Sequence, residues 1–189
     1  FPYTTLFRSG IEEVQALREL GVTDIGENRL EVARPKVEAI GKAVRWHMVG
    51  PIQRRKARDI VAMFDTVDAV DRIRAAEALQ RRCDEQDEQL AVLIEVNVSG
   101  EEQKHGFAPD DIEAALREMR AFDRLRVDGL MTMAPFGAPE DVLRPIFRRL
   151  RELTEAQGLP VVSMGMTDDF EIAVEEGATE VRIGRALFE

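Results

Sequence analysis

Two hydrophobic patterns alternate along this chain from residue 11 onward. Val14, Leu17 and Leu20 recur at helical spacing, and the run from Val22 to Glu27 that follows has the length of a strand. The same exchange of helical stripe and short strand-like run continues to the end of the sequence. It predicts seven strands separated by helices, at residues 22–27, 46–50, 64–70, 90–98, 125–133, 161–166 and 180–184.

This alternation is typical of a parallel α/β fold. Residues 90–98 are almost continuously apolar, as in a parallel strand buried on both faces. We favour a (β/α)8 TIM-type barrel over an open sheet, and we expect the seven strands to be strands two to eight. The first strand and most of the closing helix are then expected to be missing. The strands at 22–27 and 180–184 would each lack one neighbour.

Residues 1–9 differ from the rest of the chain. Phe-Pro-Tyr-Thr-Thr-Leu-Phe-Arg-Ser carries neither a helical stripe nor a buried-strand pattern, and it is similar to the translation of a sequencing adapter. We interpret residues 1–9 as a non-native leader and residues 10–189 as an incomplete barrel domain. A genuine irregular N-terminus is the alternative.

Composition narrows the class of protein. The 189 residues carry 26 basic and 36 acidic side chains, a net charge of −10, which argues against an extended nucleic-acid surface. No apolar run approaches the length of a membrane span, and the single cysteine, Cys83, excludes an intrachain disulfide. Together these features favour a cytoplasmic protein.

Two segments near the end of the chain predict a phosphate site. Ser163 to Asp169 and Val181 to Arg185 each include the end of a predicted strand and the residues that follow it. In a barrel, the loops after strands seven and eight often bind phosphate, and glycine lets the backbone approach a ligand closely. The hydroxyl of Thr167 and the cation of Arg182 would complete such a pocket.

Several other polar residues allow two interpretations. Asn28, at the end of the first predicted strand, could hydrogen-bond a ring substituent or cap a helix. His47 could contact a ligand, although a hydrogen-bonded barrel histidine is the more ordinary interpretation. His105 lies in a polar loop where we expect it to be solvated, and the two histidines have no metal-ligand spacing, so we predict no metal site.

Charged clusters are open to both a functional and a structural interpretation. Arg54, Arg55, Lys56 and Arg58 could recruit an anionic ligand or partner, but such a run is often the solvated start of a helix. The aspartates at 168 and 169 could act as acid–base groups, but carboxylates at a helix start more often cap it.

Taken in order, the motifs resemble one family. They are Gly26-Glu27-Asn28-Arg29, Trp46 to Gly50 with Gln53 and Lys56, Val96 to Glu101, Gly129 to Thr132, Ser163 to Phe170 and Val181 to Phe188. From about Ile11 to Glu189 the chain resembles the pyridoxal phosphate homeostasis proteins, also called YggS or PROSC-type proteins. Several such segments in order are far more specific than any one alone.

The resemblance implies a fold-type III barrel, as in the N-terminal domain of alanine racemase, and binding of pyridoxal 5′-phosphate (PLP). It places Ser163, Thr167 and Gly184 at the phosphate, Arg182 toward the pyridine nitrogen and Asn28 near the ring. Members of the family are regarded as carriers or regulators of PLP without established turnover. The resemblance therefore implies PLP homeostasis, with PLP-dependent apoenzymes as possible recipients and a monomer as the default state.

Two departures from the family pattern matter. Arg55 occupies a position that is usually asparagine, which leaves the role of that side chain open. The family's PLP lysine lies in a Ser-Lys-Thr-Lys-like segment on the first strand, and none of the four lysines here, at 36, 42, 56 and 104, matches it. A Schiff base needs an amine held against the aldehyde, so we expect no covalent PLP attachment by this chain.

Two further functions compete with this interpretation. One is the barrel domain of a PLP-dependent amino-acid racemase or decarboxylase, whose members generally need a second domain and further acid–base groups. A racemase uses a tyrosine, but the only tyrosine here, Tyr3, lies in the suspected leader. The other is a sugar-phosphate isomerase or lyase barrel, which would share the phosphate loops but not the ordered motifs.

Overall fold

Eight parallel strands form a closed barrel in the computed structural model, which describes residues 2–5, 10–101 and 103–187. Strands that follow one another in the sequence are neighbours in the sheet, and β8 pairs with β1 to close the barrel. The strands are β1 Pro2–Thr5, β2 Asp24–Glu27, β3 Arg45–Met48, β4 Thr66–Val70, β5 Leu90–Glu95, β6 Leu125–Met131, β7 Val161–Met166 and β8 Glu180–Ile183. The predicted TIM-type barrel is confirmed.

Helices connect the strands on the outside of the barrel. They are α1 Ile11–Glu19, α2 Leu30–Ile40, α3 Ala57–Met63, α4 Ile73–Gln86, α5 Ile112–Met119, α6 Glu140–Ala156 and α7 Phe170–Glu175, and a 3₁₀ turn at 185–187 follows β8. Pro35 lies inside α2, which begins at Leu30 and continues through the proline. None of the described helices is both long and apolar enough to cross a membrane.

The first strand corrects the sequence prediction. Thr4 and Thr5 pair with Ile25 and Gly26 of β2, while the same strand pairs with Val181 to Ile183 of β8. The expectation that β2 and β8 each lack a neighbour is therefore wrong. Tyrosine and threonine favour strands, and proline is tolerated at a strand's first residue. The interpretation of residues 1–9 as a non-native leader stays a prediction.

Two apolar clusters pack against opposite faces of the strands. The larger lies between the sheet and the helices, where Trp46, Ile60 and Phe147 are buried. The smaller contains Ala69, Leu93 and Met131. Because side chains alternate along a strand, Leu93 shares its face with Glu95, inside the barrel. The interior thus combines a few apolar side chains with buried polar groups.

Candidate cofactor site

Arg182 of β8 lies at the centre of the candidate site. Its Nη1 donates to Ser163 Oγ on β7 at 2.8 Å, and its Nη2 donates to the carbonyl oxygen of Thr132 at 2.8 Å. Arg182 is only 3% exposed and Ser163 is fully buried. Among the described residues, no carboxylate lies within ion-pair distance of this guanidinium. A buried cation with neutral partners can still donate to a ligand.

The loop after β7 approaches the end of β8, as predicted. The N–H of Gly184 points to Thr167 Oγ1 at 3.4 Å, and the N–H of Met166 donates to Asp169 Oδ1 at 2.6 Å. Asp169 therefore orders the loop rather than the first turn of α7. The structure brings Ser163, Thr167, Arg182 and Gly184 together at the C-terminal face, although up to 21 positions separate them in the sequence.

Gly165 explains why this loop runs so close to the next helix. Its φ of +91° lies in the left-handed region, and a Cβ there would stand 2.5 Å from the Cβ of Ala173. Only glycine fits both conditions without strain. The tight turn directs the chain from Met166 to Asp169 across the barrel mouth.

Asn28 directly follows β2, at the C-terminal end of that strand. Its Oδ1 is buried and has no hydrogen-bond partner among the described residues. The loop after β3 covers its backbone so closely that a Cβ at Gly50 would lie 2.1 Å from the Asn28 carbonyl oxygen. A buried acceptor without a partner is costly, which is expected where a ligand supplies the missing donor.

Barrel closure arranges these residues along one arc. β7, β8, β1 and β2 are consecutive neighbours, so Ser163, Arg182 and Asn28 surround the end of β1. Neighbouring strands lie about 4.8 Å apart, which places β8 and β2 about 10 Å from one another across β1. The first strand, on which the family's lysine is expected, therefore occupies the middle of the arc.

The opposite side of the mouth carries ionisable groups that sequence analysis missed. Asp71, after β4, lies 3.3 Å from His105 Nδ1, and its two carboxylate oxygens accept hydrogen bonds from Nε and Nη2 of Arg72. Burial raises the pKa of Glu95, and the carboxylate of Asp71 raises it further. Glu95 could have been noticed as the one carboxylate within the apolar run at 90–98. The Asp71–His105 contact has no local sequence signal.

His47 lies deeper in the barrel, between two carboxylates. Its Nε2 contacts Asp24 Oδ1 and its Nδ1 contacts Asp68 Oδ2, each at 3.0 Å. Burial alone would lower the pKa of His47, but Asp68 and Asp24 outweigh it and raise that pKa to about 10. The interpretation as a hydrogen-bonded barrel histidine is confirmed. The described residues contain no group of three or more His, Cys, Asp or Glu arranged for a metal ion.

The lysines nearest the mouth are engaged elsewhere. Lys36 forms a buried ion pair with Glu27, Lys56 pairs with Glu31, and Lys104 pairs with Glu101. Lys104 also reaches the carbonyl oxygen of Met133 at 3.3 Å. Lys42 lies in the turn before β3, at the other end of the barrel. The donor set thus fits a phosphate and a heteroaromatic ring, but the described residues place no amine in the arc.

The comparisons with known proteins agree with this geometry. The family model described as alanine racemase, N-terminal domain, matches residues 8–189. A pyridoxal phosphate homeostasis protein from Pseudomonas aeruginosa is 41% identical over 178 residues, covering 93% of this chain and 77% of that protein. One from Aquifex aeolicus is 38% identical over 185 residues, with coverages of 94% and 81%.

Solved structures give the same result for the fold. PipY from Synechococcus elongatus with PLP bound has a TM-score of 0.91 and 27% identity, and the match covers 100% of this chain and 92% of PipY. Alanine racemase from Clostridium difficile has a TM-score of 0.81, with coverages of 99% and 51%, but at 12% identity it supports the fold alone. The chain therefore belongs to the alanine racemase N-terminal domain family and, within it, to the pyridoxal phosphate homeostasis proteins.

Proposed function

We propose that this chain binds PLP and acts in intracellular PLP homeostasis, as a carrier or regulator without catalytic turnover. The observation that carries the proposal is the arc at the barrel mouth. There a buried arginine with neutral partners, a hydroxyl beside a backbone amide and a buried amide oxygen without a partner among the described residues lie on β7, β8 and β2 or directly after them. The relatives named for PLP homeostasis, and PipY with PLP bound, support the same ligand.

Each residue of the arc would have its own role. The hydroxyls of Ser163 and Thr167 and the amide of Gly184 would hold the phosphate, since hydrogen bonds to a charged acceptor are strong. Arg182 would donate to the pyridine nitrogen, and Asn28 would lie beside the ring. Because a guanidinium keeps its protons, Arg182 would bind the ring nitrogen without protonating it. PLP itself supplies an aldehyde and an aromatic ring that can withdraw electrons when bound.

The selective test of the phosphate site is Thr167→Val. Losing one neutral hydrogen bond should weaken PLP binding by about 0.5–1.5 kcal/mol, and losing one to a charged phosphate should weaken it further. Pyridoxal lacks the phosphate and should bind unchanged. Titration of both ligands measures the difference. Thr154→Val is the matched control, because its hydroxyl bonds only the Leu150 carbonyl within α6, away from the mouth.

Arg182→Ala tests the contact with the ring separately from the contacts with the phosphate. It should change the absorbance of bound PLP as well as its affinity, because it alters the surroundings of the ring. If Thr167→Val lowers the affinities for PLP and for pyridoxal equally, or changes neither affinity, Thr167 is not a phosphate ligand. Turnover of amino acids by the PLP-loaded chain would contradict the non-enzymatic part of the proposal and favour a racemase or decarboxylase.

Covalent attachment has a separate test. Borohydride treatment with PLP, followed by peptide mapping, should find no stoichiometric adduct, because the lysines near the mouth are paired with carboxylates. Full labelling at Lys56 would overturn this expectation. Lysine introduced in turn at positions 4 and 5 of β1 tests where an amine must lie to capture the aldehyde.

The cellular setting follows from the same proposal. A cytoplasmic monomer that exchanges PLP with apoenzymes would need an open mouth, and the described loops leave Met133 and Phe136 exposed beside it. Transfer is measured by mixing the PLP-loaded chain with a PLP-dependent apoenzyme and following the recovery of its activity. Recovery no faster than from free PLP at the same concentration would argue for storage or regulation rather than delivery.

A further inference from the structure

One side of the mouth carries three exposed arginines, which we call the basic rim: Arg29, Arg54 and Arg55. Within the described residues, none of them forms an ion pair. Among the described residues, the Arg55 guanidinium donates hydrogen bonds only to the neutral Gln53 side chain, at 3.3 and 3.4 Å. Arg29 lies within electrostatic range of the Glu27 and Glu31 carboxylates, but no ion pair among the described residues neutralises any of the three arginines, although the chain carries a net charge of −10.

Several cations near the rim form ion pairs, although the exposed Arg58 forms none among the described residues. Lys56, the next residue along, contacts Glu31, and Arg34 contacts Asp59 at 3.1 Å. Arg72, at the mouth beyond β4, is held by Asp71. Lys56, Arg34 and Arg72 are thus paired with carboxylates, whereas the rim arginines form no ion pair within the described residues.

The rim lies directly beside the arc. Arg29 follows Asn28, while Arg54 and Arg55 form a 3₁₀ turn in the loop after β3. That loop contacts the Asn28 backbone at Gly50, and the N–H of Val49 donates to the Glu27 carbonyl oxygen at 2.9 Å. The Lys56–Glu31 pair also ties this turn to the first turn of α2. Both parts of the rim thus border the space in front of Asn28.

The position of the basic rim matters because the proposed ligand carries a phosphate. A phosphate monoester carries close to two negative charges at neutral pH, and a strongly acidic protein repels it at a distance. The side of the mouth formed by β4 and β5 adds Asp71 and Glu95, both buried at its edge. A ligand that approaches over the rim meets positive charge first.

We propose that the basic rim is an electrostatic capture surface that speeds the association of phosphate-bearing ligands with the arc. The inference rests on the proposed function, because the arc supplies the destination. Exposed cations act over a Debye length of about 30 Å at 0.01 M salt and about 3 Å at 1 M. The rim therefore governs the association rate at low salt and contributes little to final affinity at high salt.

The test compares two variants with the same change of net charge. Arg54→Gln/Arg55→Gln removes two rim cations, while Arg81→Gln/Arg120→Gln removes two exposed cations from the later part of α4 and the end of α5, away from the mouth. Stopped-flow absorbance measures association of PLP and of pyridoxal at several salt concentrations. Arg29→Gln added to the rim variant extends the series.

The rim variant should bind PLP about five- to tenfold more slowly than the wild type at 0.01 M salt, and at the same rate near 1 M. Pyridoxal association should stay within about twofold, because it lacks the phosphate charge. The control variant should also stay within about twofold. The Arg29→Gln triple variant should be slower again.

Three results would overturn the inference. One is a PLP association rate that does not change in the rim variant, and another is an equal loss in the control variant, which would assign the effect to net charge. The third is an equal loss for pyridoxal. In all three, PLP still binds and the proposed function stands. If PLP binds to no variant and not to the wild type, the proposed function fails, and the inference fails with it.

Discussion

Raising the pH should weaken the fold through one buried group, His47. Its imidazole lies between the carboxylates of Asp24 and Asp68, and Glu180 also faces it. These carboxylates raise the pKa of His47 from 6.5 to about 10 in the folded protein. The stabilisation is complete below the unfolded pKa and is lost as the pH rises toward the folded one.

The magnitude follows from proton linkage. Between the two pKa values the folded chain holds one proton more than the unfolded chain, so stability falls by about 1.4 kcal/mol per pH unit. From pH 7 to pH 9 the loss is therefore about 3 kcal/mol. The hydrogen bond from His47 also lowers the pKa of Asp24 to about 2. That shift describes the same contact, so it adds nothing to the loss above pH 7.

Urea unfolding at pH 7, 8 and 9 measures this slope, with the single tryptophan, Trp46, as a fluorescent probe on the same strand. His47→Gln should be less stable at pH 7 and nearly independent of pH up to 9. Burial raises the pKa of Cys83 from 9.0 to about 11, so the thiol contributes only above this window. A wild-type stability that is flat from pH 7 to 9, or an equal slope in His47→Gln, would refute the reasoning.

Two further substitutions test the packing around the mouth. Lys36→Met would leave the Glu27 carboxylate buried without its partner and should lower the free energy of unfolding by about 3–5 kcal/mol. The double variant Lys36→Met/Glu27→Gln should lose clearly less, because no buried charge is left unpaired. Equal losses of the two variants in urea unfolding would contradict this reasoning. Gly165→Ala should cost more than about 1 kcal/mol and weaken PLP binding, because φ is +91° and the new Cβ would meet Ala173. Gly158→Ala has a similar positive φ of +67° but open space around it, so the same loss there would assign the effect to backbone strain alone.

The sequence by itself determined the barrel and most of the arc. Short apolar runs between helical stripes predict parallel strands, and all parallel strands of a barrel end on one face. That rule was enough to bring Thr167, Arg182 and Gly184 together before any coordinates. The predicted strand at 161–166 coincides with β7, while the one at 90–98 overruns β5 by three residues because a loop begins after Glu95.

Tertiary structure alone decided the rest. A four-residue segment that begins with proline carries too little pattern to predict a strand, and β1 is specified by its register with β2 and β8. The partners of His47 lie 23 and 21 residues away, and His105 reaches Asp71 from another loop. Such contacts form only when the sheet closes and burial makes each charge find a partner. Local sequence carries no record of that closure, so it could name His47 and His105 but not their carboxylate partners.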